Sequence, residues 1–249
     1  MKKILLLLCF IPFYTSVMAQ EMMLSGGLTT PLSPYSAQDI LDNTSGHALN
    51  GYNFKLDYII LKQSSLNFSL GFVYFTNPFD VENIQKQNNT AFNQKSVYTS
   101  LKPYTGLGFG ASILYYFTPL NNKVKGYSKI TLGQLFVNSP EYSKTDSGEY
   151  VKILSNDANS IYLGIGAGIE YALSAEISLI GYAEYLYSKV DFGNIKIANA
   201  AGQTQTIPSN KINEQTLGML NFNLGLSYKF YKQTDNLKRK KPTSVTPSF

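Results

Sequence analysis

Beyond its first nineteen residues this chain has no cysteine, and over its whole length it carries a single histidine, His47. No cysteine means no disulfides and no thiol chemistry, whatever compartment the chain reaches. One histidine and no cysteine leave zinc without a ligand set. Apolar runs are short as well. None reaches the roughly eighteen residues that a membrane helix requires, although the chain holds 19 Tyr and 15 Phe. Those aromatic side chains must be used in some other way.

The N-terminus is a targeting segment. Lys2 and Lys3 precede an apolar stretch, Ile4 to Leu8 and Phe10 to Phe13, and small residues lead to Val17-Met18-Ala19 before Gln20. This is the layout of a secretory signal peptide over residues 1–19. Cys9 lies inside the apolar stretch without the small residues that a lipoprotein cleavage site needs, so lipidation is not expected. Removing Lys2 and Lys3 takes the formal charge from +5 to +3. Residues 231–249 hold Lys232, Lys238, Arg239, Lys240 and Lys241 against Asp235, which leaves the body near −1. The basic balance thus belongs to a tail, expected to be disordered and periplasmic, and no nucleic-acid partner is expected.

Between leader and tail the dominant signal has period two. From Ile161 to Tyr171 the odd positions are Ile, Leu, Ile, Ala, Ile and Tyr, while Tyr162, Gly164, Gly166, Gly168 and Glu170 fill the even ones. Alternate residues of a strand point to opposite faces, so one face is apolar and the other small or polar. Tyr52–Ile60, Leu66–Tyr74, Leu107–Phe117 and Leu220–Phe230 repeat the pattern. Met22–Thr30, Val124–Asn138 and Ile177–Val190 are weaker versions and bring the set to eight. Links alternate without exception. Short ones (Lys62–Ser65, Thr118–Lys123, Leu173–Glu176) separate long polar ones (Pro31–Gly46, Asn77–Thr105, Ser139–Ala158, Asp191–Gln215). The sequence therefore predicts an all-β fold: a closed, eight-stranded, antiparallel up-and-down transmembrane barrel over 20–230. Short turns and both termini would be periplasmic and the long loops external.

A soluble barrel of lipocalin type would have the same period but the opposite sense. Glycine weakens a water-facing strand, whereas the inside of an eight-stranded barrel is only just wide enough for side chains. Lys55, Asp57, Lys125, Lys129, Glu170, Glu184 and Lys229 all fall on the glycine-bearing face, where they form a lumen charge network. A lysine at mid-depth on the lipid face would cost about 2–4 kcal/mol. Tyr58, Tyr115, Phe117, Tyr171, Tyr228 and Phe230 cluster toward one end of the apolar face, and Tyr52, Phe54, Tyr74, Phe136, Tyr185 and Tyr187 toward the other. Two aromatic rings are the mark of two membrane interfaces.

The pattern resembles the small outer-membrane barrel families, OmpA-type transmembrane domains and OmpX-like proteins, and most of all the outer-membrane β-barrel domain proteins of Bacteroidota. The last strand, Asn223-Leu224-Gly225-Leu226-Ser227-Tyr228-Lys229-Phe230, looks like their C-terminal assembly signal. The resemblance implies that Asn223, Gly225, Tyr228 and Phe230 are read by the barrel-assembly machinery. It also implies an outer-membrane location among lipid and lipopolysaccharide. Pro242 and Pro247 disqualify the tail as the terminal strand.

No catalytic constellation emerges. His47 and Ser45 stand near the outer rim, but no orienting carboxylate is singled out for them. Gly164-Ile165-Gly166-Ala167-Gly168 lies within a strand, not at the strand-to-helix turn of a nucleotide fingerprint. Glu141, Asp146, Glu149 and Asp157 are too scattered for a calcium loop. Neither cofactor nor metal is expected. The reading is a non-enzymatic outer-membrane protein, structural or acting through its loops on an external ligand. A narrow channel for ions or small solutes is the alternative, and a lipid A-modifying rim enzyme the second.

Overall fold

Strands with one greasy face cannot leave their edges unpaired in an apolar medium, and in the computed structural model the chain closes on itself. The structure describes residues 21–230 except 33–36, 40–43, 47, 64, 93–95, 118–122, 147 and 209–213. The expected leader (1–19), His47 and the basic tail (231–249) lie outside the described residues.

The elements run β1 (Glu21–Pro31), β2 (Ala37–Asp39), β3 (Thr44–Gly46), β4 (Gly51–Gln63), β5 (Leu66–Asn77), α1 (Val81–Phe92), β6 (Val97–Lys102) and β7 (Tyr104–Tyr116). They continue with β8 (Val124–Asn138), β9 (Glu141–Asp146), β10 (Glu149–Ile153), β11 (Asp157–Ala172), β12 (Ile177–Asp191), β13 (Ile195–Asn199), β14 (Thr204–Ile207) and β15 (Glu214–Lys229). Eight of them form a closed barrel in the order β1-β15-β12-β11-β8-β7-β5-β4, each antiparallel to its neighbours. Each is a strand that the period-two pattern predicts; the ends move by up to six residues, most at β15, which starts at Glu214 rather than Leu220, while Phe117 and Phe230 fall just past the ends of β7 and β15.

The faces sort as the alternation requires. Ile161, Leu163, Ile165, Ile169 and Tyr171 of β11 point outward, as do Phe222, Leu224, Leu226 and Tyr228 of β15, with Ile161 and Leu224 each 72% exposed. Among the described residues of the barrel the register slips once, between Ile59 and Leu61 of β4, where a bulge leaves Ile60 unpaired against β5. A bulge adds one residue to one strand and flips the alternation beyond it. Ile59 is accordingly buried while Leu61 faces out.

Glycines on the inner face make room for large neighbours. A methyl group at Gly168 would stand 2.5 Å from Cβ of Tyr182 and 2.7 Å from Cζ of Tyr127, and one at Gly164 would stand 2.9 Å from Oε1 of Glu184. Their weak strand propensity is offset by what they admit.

The long connections differ from the polar loops expected of them. The second, third and fourth build a five-stranded sheet in the order β14-β13-β10-β9-β6, and the first carries the β2–β3 pair. The second also contributes α1, whose Asn83 amide donates to Asp80 Oδ1 at 3.0 Å, an N-terminal cap with Glu82 in the first turn. Ile84 of α1 is fully buried. The barrel thus carries a folded cap at its long-loop end.

Gly168→Val is expected to lower the unfolding free energy by about 1–3 kcal/mol, the cost of overpacking a filled interior. Urea unfolding in detergent measures it, and an unchanged midpoint would mean that the glycines do not set the inner volume.

Candidate functional site

The lumen is a layered core. Along β8 the inward residues are Tyr127, Lys129, Thr131, Gly133, Leu135 and Val137; along β12 they include Ile180, Tyr182, Glu184, Leu186 and Val190. Both strands pass from apolar through ionic to apolar. At the short-turn end Met23, Ile59, Leu114, Tyr116, Tyr127, Ile180 and Tyr182 form one buried cluster. At the long-loop end a second cluster takes in Val73, Phe75, Leu135, Tyr162, Leu186 and Met219. The inner face is small or polar at many positions, as the alternation predicts, and the large apolar side chains of the two clusters fill the rest. Eight strands enclose so little space that the interior packs as a protein core.

Between the clusters lie the ions. Lys129 Nζ binds Asp57 Oδ2 at 2.6 Å, and Lys55 pairs with Glu184. All four side chains are almost wholly buried. Both ammonium groups sit over the Tyr182 ring, at 5.7 and 5.9 Å from its centroid. Thr131 Oγ1 donates to Glu184 Oε1 at 3.3 Å and shares a 2.9 Å hydrogen bond with Ser112. A second node lies nearer the short turns. There Glu170 accepts from Lys229 and, at 2.8 Å, from Ser178, while Ser227 donates to Glu21. Buried charges need such partners, and here each carboxylate has one.

Of the seven charges picked out on the inner face, six are brought into three pairs. Lys125 is the exception. It has inner-face parity and stands in register with Glu170, but β8 begins only one residue earlier, so Lys125 stands exposed at the mouth. The sequence reading missed Glu21, which is fully buried; it is the first residue of β1 and shares the inward parity of Met23 and Ser25. Thr131, Ser112 and Ser178 were missed because a hydroxyl in a strand gives no signal of its own.

The four residues expected to form an assembly signal divide between the two faces at the end of β15. Asn223 is buried in the lumen, and a methyl group at Gly225 would run into the backbone of Leu24 and Ser25 on β1. Tyr228 and Phe230 point outward and meet edge to face, 5.1 Å between ring centroids.

The cap continues the upper cluster. Phe79, Ile84, Tyr98, Tyr142 and Phe192 belong to the same buried group as the barrel's Phe75 and Tyr162. Phe79 lies 5.1 Å from Tyr142 and 6.1 Å from Tyr104, centroid to centroid. On the cap's other face Glu141 bridges Lys102 at 2.8 Å and Lys152 at 2.7 Å. Burial raises the Glu141 carboxyl, but hydrogen bonds and charge from the two lysines outweigh it and hold the group below the ordinary carboxylate range. Among the described residues no group of three or more His, Cys, Asp or Glu is placed to hold a metal ion.

No family model matches the chain, and no characterised protein matches it in sequence. Solved structures do match in shape. One is a major outer membrane protein from Thermus thermophilus, at 16% identity and TM-score 0.52, covering 85% of this chain and 99% of that one. Another is Neisserial surface protein A, at 15% identity and TM-score 0.45, covering 84% and 96%. A third is Ail of Yersinia pestis, solved with the heparin analogue sucrose octasulfate, at 14% identity and TM-score 0.40, covering 85% and 100%. At such identities what is shared is the fold. It is that of the small outer-membrane β-barrels.

Two outcomes follow from this geometry. Glu184→Ala strands a buried lysine and is expected to cost about 3–5 kcal/mol in urea unfolding, whereas Lys55→Met with Glu184→Leu regains most of that loss. A double variant no better than the single one would sink the pairing. For Glu141 the folded value is depressed, so its stabilisation of the cap is present above the ordinary carboxylate pKa and fades as pH falls through the lower folded value. Hydrogen exchange of β9 is expected to speed up over that acidic window in the native chain and to show no such step in Glu141→Gln.

Proposed function

We propose that the chain is an integral outer-membrane protein, non-enzymatic, with a lumen closed to solutes and a folded external cap as its working surface. The observation that carries this reading is the outward face. It is a continuous apolar belt edged by exposed aromatics, with Tyr115, Phe117, Tyr171, Tyr228 and Phe230 at one rim and Tyr52, Phe54, Tyr74, Phe136, Tyr185 and Tyr187 at the other. A soluble monomer rarely exposes more than a few hundred Å² of contiguous apolar surface. Acyl chains are the medium that removes the penalty, with lipopolysaccharide at the cap side. Residues 1–19 serve as the export signal, the short turns and both termini face the periplasm, and the cap faces outward.

Asn223, Gly225, Tyr228 and Phe230 serve the barrel-assembly machinery. Phe230 follows directly on the last strand, and residues 231–249 come after it as a basic segment. Lys55, Asp57, Lys129, Glu170, Glu184 and Lys229 are the lumen's structural ion pairs, and Lys125 is a mouth residue. The two apolar clusters that fill both ends of the lumen stand against an open solute channel.

A rigid scaffold usually carries its function in the segments that it displays. The β13–β14 hairpin ends in a structured, exposed tip, where Asn199 Oδ1 accepts from the amides of Ala201 and Gln203 at 3.0 Å each and Gly202 takes a positive φ of 77°. This tip and the face around Glu141 are the surfaces offered to an external ligand.

The folded protein is expected in the membrane fraction, with heat-modifiable mobility on a detergent gel. Ile165→Lys puts a charge on the lipid face at a cost of about 2–4 kcal/mol and is expected to impair insertion. Planar-bilayer recordings are expected to lack large open steps. A leaderless chain that stays dissolved without detergent, or an Ile165→Lys variant that inserts normally, would refute the membrane reading; large reproducible steps would refute the closed lumen.

A further inference from the structure

One wall of the lumen is unlike the rest. Midway along β4, β1 and β15, between the apolar Met23, Ile59 and Met219, the inward side chains are polar, and several of their atoms have no hydrogen-bond partner among the described residues: Thr29 Oγ1, Asn53 Oδ1, Asn221 Oδ1 and both amide atoms of Asn223. None of these residues is more than 5% exposed. The register makes them one patch. Thr29 pairs with Asn221, which pairs in turn with Glu184; Asn53 and Asn223 flank Gly27, which has no side chain to separate them. A hydrogen bond left unmade on a buried polar atom is costly, and atoms of this kind are satisfied by ordered water.

The patch has two extensions. Toward the cap, Asn77 Nδ2 donates to the Thr29 carbonyl at 3.5 Å and to the carbonyl of exposed Leu49 at 2.9 Å, and among the described residues its Oδ1 has no hydrogen-bond partner. Toward the short turns the path runs from Glu184 through Thr131 to Ser112 by the bonds given above. Ser112 stands in register with Ser69 on β5, and Asn67 lies one inward position further toward the mouth. Among the described residues the Ser69 hydroxyl and both amide atoms of Asn67 are buried without a hydrogen-bond partner. Polar atoms therefore run from the cap to the short-turn end, alongside the aromatic and aliphatic side chains that fill the rest of the lumen.

We propose that this wall holds a file of ordered water which, with the hydroxyls of Thr131, Ser112 and Ser69, conducts protons across the barrel while excluding hydrated ions. Each link accepts a proton on its oxygen and releases another to the next link, so nothing is consumed and no charge is left behind. A hydrated cation has no such route, because the apolar layers leave no room for its water shell. The inference rests on the membrane reading above.

The full-length protein is reconstituted into phosphatidylcholine vesicles containing a pH-sensitive dye, with a potassium gradient and valinomycin to drive proton entry. Heat-modifiable mobility establishes insertion in each preparation. Proton entry is expected to exceed that of empty vesicles, with no matching potassium current when valinomycin is omitted. Ser112→Ala with Ser69→Ala is expected to slow the excess flux about tenfold, the effect of one unmade buried hydrogen bond on a barrier. Asn67→Ala tests the same path without touching the Ser112–Thr131 bond and is expected to slow it likewise. Thr145→Ala, on the exposed cap, is expected to leave it unchanged. Inserted protein with no excess flux, flux indifferent to the Ser112, Ser69 and Asn67 variants, or flux with an equal potassium current would each overturn the pathway. Failure to insert would overturn the membrane reading itself.

Discussion

Closing eight strands into a ring fixes the interior volume, and most other features of this chain answer to that constraint. A lumen this narrow cannot hold bulk water, yet a strand cannot place every polar residue outside when its outer face meets hydrocarbon. The inner face therefore carries two incompatible populations, large apolar groups and ions. The structure sets the central pairs, Lys55 with Glu184 and Lys129 with Asp57, between two apolar clusters, and a further node around Glu170 and Lys229 beside the lower cluster. Glycine is the third ingredient. Gly164 and Gly168 let Glu184, Tyr127 and Tyr182 occupy space that any side chain would have claimed.

The same constraint explains the cap. The upper cluster reaches the rim of the barrel, where open loops would have left Phe75, Tyr104 and Val137 wet. Phe79, Ile84, Tyr142 and Phe192 cover them, so barrel and cap share one core. Burial of apolar area is what the cap and the upper lumen have in common, at about 25 cal/mol per Å² removed from water.

The barrel was legible because its signal is local. Period two, repeated eight times with alternating link lengths, needs no knowledge of partners, and the face of each strand follows from parity alone. What depends on distant pairing was not legible. β6 meets β9 some forty positions later, so neither polar segment announces a sheet by itself. The short helix α1 carried a local signal in Asp80 and Glu82, but one capped turn inside a long polar link is weak beside eight strands. Charge parity could pick out Lys55 and Glu184 as inward; only the stagger of the closed ring brings together two residues from strands separated by β1 and β15. Lys125 shows the converse. Parity assigns a face, not a depth, and one residue from the strand end is already outside.

That both central ion pairs join non-neighbouring strands suggests what they are for. Lys55–Glu184 ties β4 to β12 and Lys129–Asp57 ties β8 to β4, in each case across two intervening strands. Replacing a buried ion pair by apolar groups is often neutral or stabilising, so stability alone does not account for them. A one-residue slip of any of these strands would turn its ion toward lipid, at about 2–4 kcal/mol for each lysine so displaced. An apolar residue at the same position would sit almost equally well on either face. Charges in the middle of the lumen therefore make the correct register the one that the ring can close on, and the flanking apolar layers, indifferent to a slip by themselves, inherit that choice.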